Sequence, residues 1–275
     1  MSRHGVVIRR SRSEGEDQKG ILDFVKSYKP QNNQVGNLRI LLHGPTGAGK
    51  SSLINSVESA VRGQICGRSL TDAASGSSFT KKYKTYKIKK DNQSCCSFVF
   101  TDTMGLESGT GGIHVKDVKL ALRGHVEDGY EFIHDSPLTK EKFGYNSFPS
   151  LSDKVHVLVF VVSANHIKII ADDVVKKMKD VRQAASDLGI PQLAILTKVD
   201  EACPEVKKDV DNMYKSKSLK EKVDIIHKLL GIPLNCIFLV KNYSSEIETD
   251  DKVNVHILCA LRQMINFGED FVNNQ

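Results

Sequence analysis

The feature that most constrains the fold of this chain is a glycine-rich segment, GPTGAGKS, at residues 44–51. An apolar run at residues 38–43 precedes it, and a stretch with helical apolar spacing follows. Glycines let a backbone fold tightly enough for its N–H groups to point at phosphate oxygens, and a helix N-terminus adds partial positive charge. The pattern therefore predicts a phosphate-binding loop between a buried strand and a helix; an ordinary glycine-rich turn is the alternative.

The residues of this loop have separate expected tasks. The Lys50 ammonium can reach the β- and γ-phosphates of a nucleotide and assist catalysis, and the Ser51 hydroxyl can ligate magnesium. The predicted nucleotide-binding residues of the loop are Gly44, Thr46, Gly47, Ala48, Gly49, Lys50, Ser51 and Ser52.

Apolar runs alternate with helical patterns from residue 38 onward, which is typical of an α/β sheet with helices on both faces. The predicted strands are residues 38–43, 83–89, 97–101, 155–162, 193–196 and 237–240. We therefore expect a three-layer α/β domain with a mostly parallel sheet of about six strands. Ser218 and Glu221 have capping-box spacing and predict the start of one of the later helices.

A second motif, Asp-Thr-Met-Gly, follows the strand at residues 97–101. A carboxylate at Asp102 can hold magnesium through water, and the Gly105 N–H can sense a γ-phosphate, which predicts a switch loop. A simple turn that ends a strand is the alternative interpretation.

A third motif, Thr-Lys-Val-Asp, follows the strand at residues 193–196. The Asp200 carboxylate can accept two N–H donors from guanine, and the Lys198 stem can cover the flat base. Thr197 opens the motif, and a polar strand-to-helix turn is the alternative. In this order the three motifs favour GTP over ATP and disfavour an ATP-dependent kinase.

Two further assignments are less constrained by the pattern. Thr80 is the candidate switch threonine, which we expect to assist catalysis and to ligate magnesium. Thr71 and Ser78 are the other candidates for this role, and an ordinary loop hydroxyl is the alternative interpretation. Lys241 and Asn242 follow the last predicted strand and are expected to contact guanine, unless they form a plain loop.

The charge balance excludes little: 39 Lys and Arg against 33 Asp and Glu is too weakly basic to imply nucleic-acid binding. Lysines interleave with Tyr83 and Tyr86 over residues 81–90; this predicts a lysine-protected edge strand rather than a nucleic-acid or lipid surface. His43 is expected to be a buried strand-end residue, not a catalyst.

The sequence has no apolar run of membrane-spanning length, no signal-like N-terminus and six scattered cysteines. These features predict a cytoplasmic protein without a membrane span.

The predicted organisation is a flexible basic arm at residues 1–36 and a P-loop domain at residues 37–275. Within the arm, residues 1–19 are expected to be disordered, and the apolar residues of positions 21–25 predict a short helix that ends before Pro30. The domain contains an insertion at about residues 107–153, and connections of this length are usually functional or mobile.

The segments GPTGAGKSS, SSFTKKYKTY, TDTMGLE, TKVD and VKNYSSE resemble, in this order, the interferon-induced protein 44 family. The resemblance covers about residues 21–270. It implies a Ras-like P-loop GTPase fold distantly related to dynamin-type and septin-type GTPases, with GTP or GDP and Mg²⁺ as cofactors. It also implies a cytoplasmic, interferon-inducible role in antiviral defence.

The residue after the Asp-Thr-Met-Gly motif departs from small signalling GTPases, which place a water-orienting Gln there. Here it is Leu106, and Glu107 follows. Leucine cannot orient water, so two hypotheses stay open: a slow GTPase, or a GTP-binding scaffold or assembly module with little hydrolysis. Expected partners are the nucleotide, a second copy joined through this domain, and unknown protein effectors.

Overall fold

The computed structural model describes residues 17–67, 81–109, 111–133 and 136–275. The predicted switch residue Thr80, its rivals Thr71 and Ser78, and residues 1–16 of the arm lie outside the described residues.

The described residues form one six-stranded sheet with the order β2-β3-β1-β4-β5-β6. Only the β2–β3 pair is antiparallel. The strands are β1 (Leu38–His43), β2 (Lys84–Lys89), β3 (Cys95–Asp102), β4 (Val157–Ser163), β5 (Gln192–Thr197) and β6 (Ile237–Leu239). The predicted α/β class, the strand number and the mostly parallel sheet are confirmed.

Burial follows from the position of each strand in the sheet. All seven residues of β4 are buried, because helices cover both faces of a central parallel strand. β2 lies at the edge and leaves its lysines largely at the surface, which is the position that the lysine pattern predicts.

The helices pack in two layers, one on each face of the sheet. They are α1 (Asp17–Ser27), α2 (Lys50–Arg62), α3 (Val115–Leu122), α4 (Asp172–Asp187), α5 (Val199–Ala202), α6 (Pro204–Lys208), α7 (Lys217–Leu230) and α8 (Asp251–Asn273). One layer contains α1, α2 and α8, and the other contains α3, α4 and α7. Short 3₁₀ turns occur at Leu151–Asp153, Ile167–Ile169, Val210–Tyr214 and Leu234–Cys236.

Helix α1 lies in the described part of the predicted arm, residues 17–36, and it packs on α8 rather than standing apart. Ile21 and Val25 are buried in the core, and the Glu269 carboxylate accepts from the Tyr28 hydroxyl (2.5 Å) and the Gln31 N–H (2.9 Å). The helix ends before Pro30, as predicted. It begins at Asp17, so the expectation of disorder was wrong for residues 17–19. The domain boundary at residue 36 stays a prediction.

The predicted start of α7 was wrong by two residues. Ser216, not Ser218, is the N-cap, and its side-chain oxygen accepts from the Leu219 N–H at 3.3 Å. Both serines have the right chemistry, but Lys217 is already helical, which places Ser218 inside the first turn. The apolar face of the helix is buried as its spacing predicts.

Within the described part of the chain, no helix is both long enough and apolar enough to cross a membrane.

Candidate functional site

The glycine-rich loop lies between β1 and α2, as the sequence predicts. At Gly44 a Cβ atom would lie 2.0 Å from the Val161 carbonyl oxygen, so the loop leaves β1 too close to β4 for any side chain. Gly49 has φ +90°, a left-handed conformation, directly before the first residue of α2. The close contact at Gly44 and the left-handed backbone at Gly49 explain why the pattern has glycine at these two positions.

The Lys50 side chain folds back over this loop. Its ammonium donates to the Gly44 and Pro45 carbonyls, both at 3.1 Å, and only 7% of the residue is exposed. Burial lowers the pKa of Lys50, and the carboxylates of Asp102 and Glu107 partly oppose that shift. The Lys50 side chain thus lies against the loop, with its ammonium between the Gly44 and Pro45 carbonyls.

Ser51 and Asp102 meet where the first turn of α2 faces the end of β3. The Ser51 hydroxyl donates to the Asp102 carboxylate at 2.5 Å, and Asp102 is completely buried. A hydroxyl and a carboxylate are oxygen ligands of the kind that Mg²⁺ prefers. The residues predicted to hold the metal therefore fit it, apart from Thr80, which is not described.

The switch segment after β3 pairs with the P-loop through the backbone. Leu106 donates to the Gly44 carbonyl and accepts from the Thr46 N–H, both at 3.0 Å. A Cβ atom on Gly105 would lie 2.6 Å from the Thr46 Cα, so Gly105 lies directly against the loop. The Leu106 side chain is 1% exposed and lies in the core.

Glu107, at the junction of this segment and the P-loop, was not predicted from the sequence as a site residue. The Glu107 carboxylate accepts from the Thr46 hydroxyl at 3.0 Å, and Glu107 also interacts electrostatically with Lys50. The available signal was an acidic residue just after the switch motif, but spacing alone does not show that its side chain turns back to the P-loop.

The third motif reaches the P-loop through its first residue. The buried Thr197 hydroxyl donates to the Ala48 carbonyl at 2.5 Å, which ties the end of β5 to the loop. Lys198 has φ +56°, the one positive φ outside glycine among the described residues. Such a conformation costs on the order of 1 kcal/mol and is often found at functional sites. Asp200 follows in the first turn of α5.

The loop after β6 contacts the same region. The Asn242 amide donates to the Gly49 carbonyl at 3.2 Å, and Lys241 forms a 2.8 Å ion pair with Glu246. Burial raises the pKa of Glu246, but the hydrogen bonds from Lys241 and from the Ser244 N–H dominate and lower it to about 2. The structure thus brings the predicted Asn242 to the P-loop, whereas the predicted Lys241 pairs with Glu246 of its own loop.

His43 is fully buried at the end of β1, as expected. Its ring packs edge-on against Phe160 with centroids 5.9 Å apart. Burial, and to a lesser extent the charge of Lys50, lower the pKa of His43 to about 3, so its imidazole is neutral in the folded chain.

Comparison with known proteins finds a matching family model and similar proteins. A family model described as a 50S ribosome-binding GTPase matches residues 39–198. In Homo sapiens, interferon-induced protein 44-like is 36% identical over 270 residues, which is 97% of this chain and 59% of that protein. Interferon-induced protein 44 of Mus musculus is 34% identical over 92% of this chain and 60% of that protein. The chain thus spans about three fifths of the length of these curated relatives.

A solved structure shares the fold. Toc33 from Arabidopsis thaliana, in complex with GDP and Mg²⁺, superposes with a TM-score of 0.50 and 14% identity. The match covers 94% of this chain and 93% of that one. Because the GTPase model covers more than half of the chain and two relatives exceed 30% identity over nearly all of it, the chain belongs to the interferon-induced protein 44 family and contains a P-loop GTPase domain.

Proposed function

We propose that this chain binds GTP and GDP, with Mg²⁺ as the cofactor, at the site formed by the P-loop and the ends of β3, β5 and β6. The observation that carries the proposal is the meeting of the three motifs: Asp102 contacts Ser51, and Thr197 contacts Ala48. In this proposal separate groups would serve the phosphates, the metal and the base. The solved structure of Toc33, which shares the fold, is a complex with GDP and Mg²⁺.

Ser51 and Asp102 would hold the metal, which when bound neutralises charge on the β- and γ-phosphates. Lys50 adds a second positive charge from the loop side. Asp200 would choose guanine, because its carboxylate accepts N–H donors that adenine does not present in the same arrangement.

Hydrolysis is proposed to be slow. Leu106 occupies the position from which small GTPases orient the attacking water, and its side chain is buried. We expect a monomer rate at or below roughly 10⁻³ per second, the scale of an unassisted small GTPase.

The second candidate function is a GTP-binding assembly module with little turnover. The observation in its favour is the insertion, where Phe143 and Phe148 are 95% and 93% exposed. A contiguous exposed apolar patch is typical of a contact surface, and we propose that these two side chains contribute to one. A second copy that covers them could also complete the catalytic site in trans, since the insertion begins at the switch.

The names of the relatives add a cellular setting to this proposal. The relatives are called interferon-induced, and on that ground we propose that this chain is interferon-induced. A role in antiviral defence and a location in the cytoplasm are further proposals, which rest on the resemblance to the family.

Single-turnover GTP hydrolysis across a wide range of protein concentrations tests the proposal. A slow, constant rate supports the slow monomer, and a rate per molecule that rises with concentration supports completion by a second copy. In the latter case the variant with Phe143→Ser and Phe148→Ser should lose the rise while its dilute rate stays the same. A fast rate that is independent of concentration would contradict the slow-monomer claim and require another catalytic residue in cis.

A further inference from the structure

We propose that the Glu107 carboxylate disfavours binding of the γ-phosphate of GTP. Because of this carboxylate, the ratio of GDP affinity to GTP affinity is higher than it would be in the same site without the charge. The inference rests on the proposed function and adds a specificity-determining residue to it.

The first argument is the position of the Glu107 carboxylate. It accepts from the Thr46 hydroxyl at 3.0 Å and interacts with the Lys50 ammonium, which in a P-loop reaches the β- and γ-phosphates. Gly105, at the position that senses a γ-phosphate, lies against the same Thr46. Glu107 therefore faces the γ-phosphate end of the site, away from the base.

The second argument is that this carboxylate is held in place. The Lys177 ammonium of α4 donates to the carbonyls of Glu107 and Gly109, both at 2.7 Å. Asp173 of the same helix accepts from the Gly109 N–H at 2.7 Å. A Cβ atom on Gly111 would lie 2.9 Å from the carboxylate, so the backbone also closes one side. With its main chain fixed to α4, Glu107 cannot withdraw far when a triphosphate arrives.

The third argument is electrostatic. A γ-phosphate brings additional negative charge toward a fixed carboxylate, and like charges that share a site repel one another. GDP lacks that group and meets little of this repulsion. The carboxylate also competes with the γ-phosphate for Lys50. Both effects weaken GTP binding more than GDP binding.

The test measures the affinities of GDP and of the non-hydrolysable β,γ-imido analogue of GTP, by calorimetry with Mg²⁺, for the whole chain. Glu107→Gln keeps an oxygen that can accept from Thr46 but removes the charge. We expect the GTP analogue to bind about tenfold more tightly, while the GDP affinity changes by less than about threefold. The matched control is Glu221→Gln, the same charge change at an exposed position on α7, which should alter neither affinity.

Lys177→Ala tests the tether. It should move the ratio of the two affinities in the same direction as Glu107→Gln but by less, because the carboxylate remains and becomes free to swing away. Lys176→Ala removes the same charge from the adjacent, exposed position of α4 and should leave the ratio unchanged.

The outcomes separate this inference from the proposed function. If the unmodified chain binds neither nucleotide, the proposed function is wrong and the inference falls with it. If it binds both, and Glu107→Gln melts at the same temperature yet leaves the ratio unchanged or shifts it toward GDP, the inference alone is wrong. If Glu107→Gln fails to fold, Glu107→Ala removes the same charge and is judged by the same ratio.

Discussion

The proposed phosphate side and the proposed base side of this site are built in different ways. The phosphate side is the P-loop with Asp102, and most of it is one continuous segment shaped by its own glycines. The base side comprises Thr197, Lys198, Asp200, Lys241 and Asn242, from the ends of two strands. The phosphate side therefore depends mainly on local sequence, whereas the base side depends on how the sheet aligns distant segments.

Hydrogen bonds from Thr197 and Asn242 connect the two sides. Thr197 donates to Ala48, and Asn242 donates to Gly49, so both partners on the phosphate side are carbonyls of the P-loop. A variant on one side should therefore change how the site recognises one part of the ligand, either its phosphates or its base. A variant of a connecting residue should change the recognition of both parts.

The largest effect is expected on the phosphate side. Lys50→Ala removes the ammonium from the loop, and the affinities for GDP and GTP should both fall by about 100-fold, because charge-assisted hydrogen bonds to phosphate are lost. The fold should remain, since the carbonyls to which Lys50 donates belong to its own loop. Calorimetry measures the affinity, and Lys217→Ala, at an exposed position of α7, is the control. Unchanged affinity would exclude the P-loop assignment.

The next effect separates the base side from the phosphate side. Asp200→Asn replaces an acceptor with a group that also donates, so guanine affinity should fall by about 50-fold while xanthine affinity rises, because xanthine has a carbonyl where guanine has an amine. Competition between GTP and XTP measures the change. Glu201→Gln, the neighbouring charge on the same short helix, should leave base choice unaltered. Retained guanine preference in the Asp200 variant would argue against the role of Asp200.

The connecting residue should affect both sides more mildly. Thr197→Val removes the hydroxyl that donates to Ala48 and leaves a carbonyl of the P-loop without this donor, which should lower the free energy of unfolding by about 2 kcal/mol. GDP and GTP should both bind more weakly, since the loop itself loses support. Urea unfolding and calorimetry provide the two measurements. Thr197→Ser keeps the hydroxyl and should behave nearly as the unmodified chain; equal losses in both variants would contradict this account.

The smallest effect concerns pH and the strand that leads into the phosphate side. The pKa of His43 falls from its ordinary 6.5 to about 3 on folding, so below pH 6.5 the unfolded chain binds a proton that the folded chain does not. Stability should therefore be lost as the pH falls from 6.5 toward 3. Relative to His43→Leu, the unmodified chain should lose on the order of 1 kcal/mol between pH 7 and pH 5. His156, whose pKa burial lowers to about 4, is present in both proteins and cancels. Parallel pH profiles of unfolding would contradict this prediction.

The same division explains what the sequence could predict. The P-loop, all six strands and the apolar faces of the main helices follow from local periodicity and glycine placement, and the structure confirms them. The start of α7 was wrong because Ser216 and Ser218 have equal capping chemistry, and only the path of the preceding chain decides between them.

Contacts between residues that are far apart in the chain could not be predicted from the sequence pattern. Glu107 turns back to Thr46 because Lys177 and Asp173 of α4 hold the backbone around it, and those residues lie 64 or more positions later in the chain. Thr197 was assigned to the nucleotide by its motif, yet its hydroxyl is bound to Ala48. Such partners depend on how layers pack, which no local spacing encodes.

The central claim is that the two sides together form a guanine-nucleotide site, and calorimetric titration of the whole chain with GDP, GTP and ATP, with and without Mg²⁺, tests it most directly. The account predicts binding of GDP and GTP, loss of affinity when the metal is chelated, and no comparable binding of ATP. Binding of ATP as tight as that of GTP, or no binding of either guanine nucleotide, would contradict it.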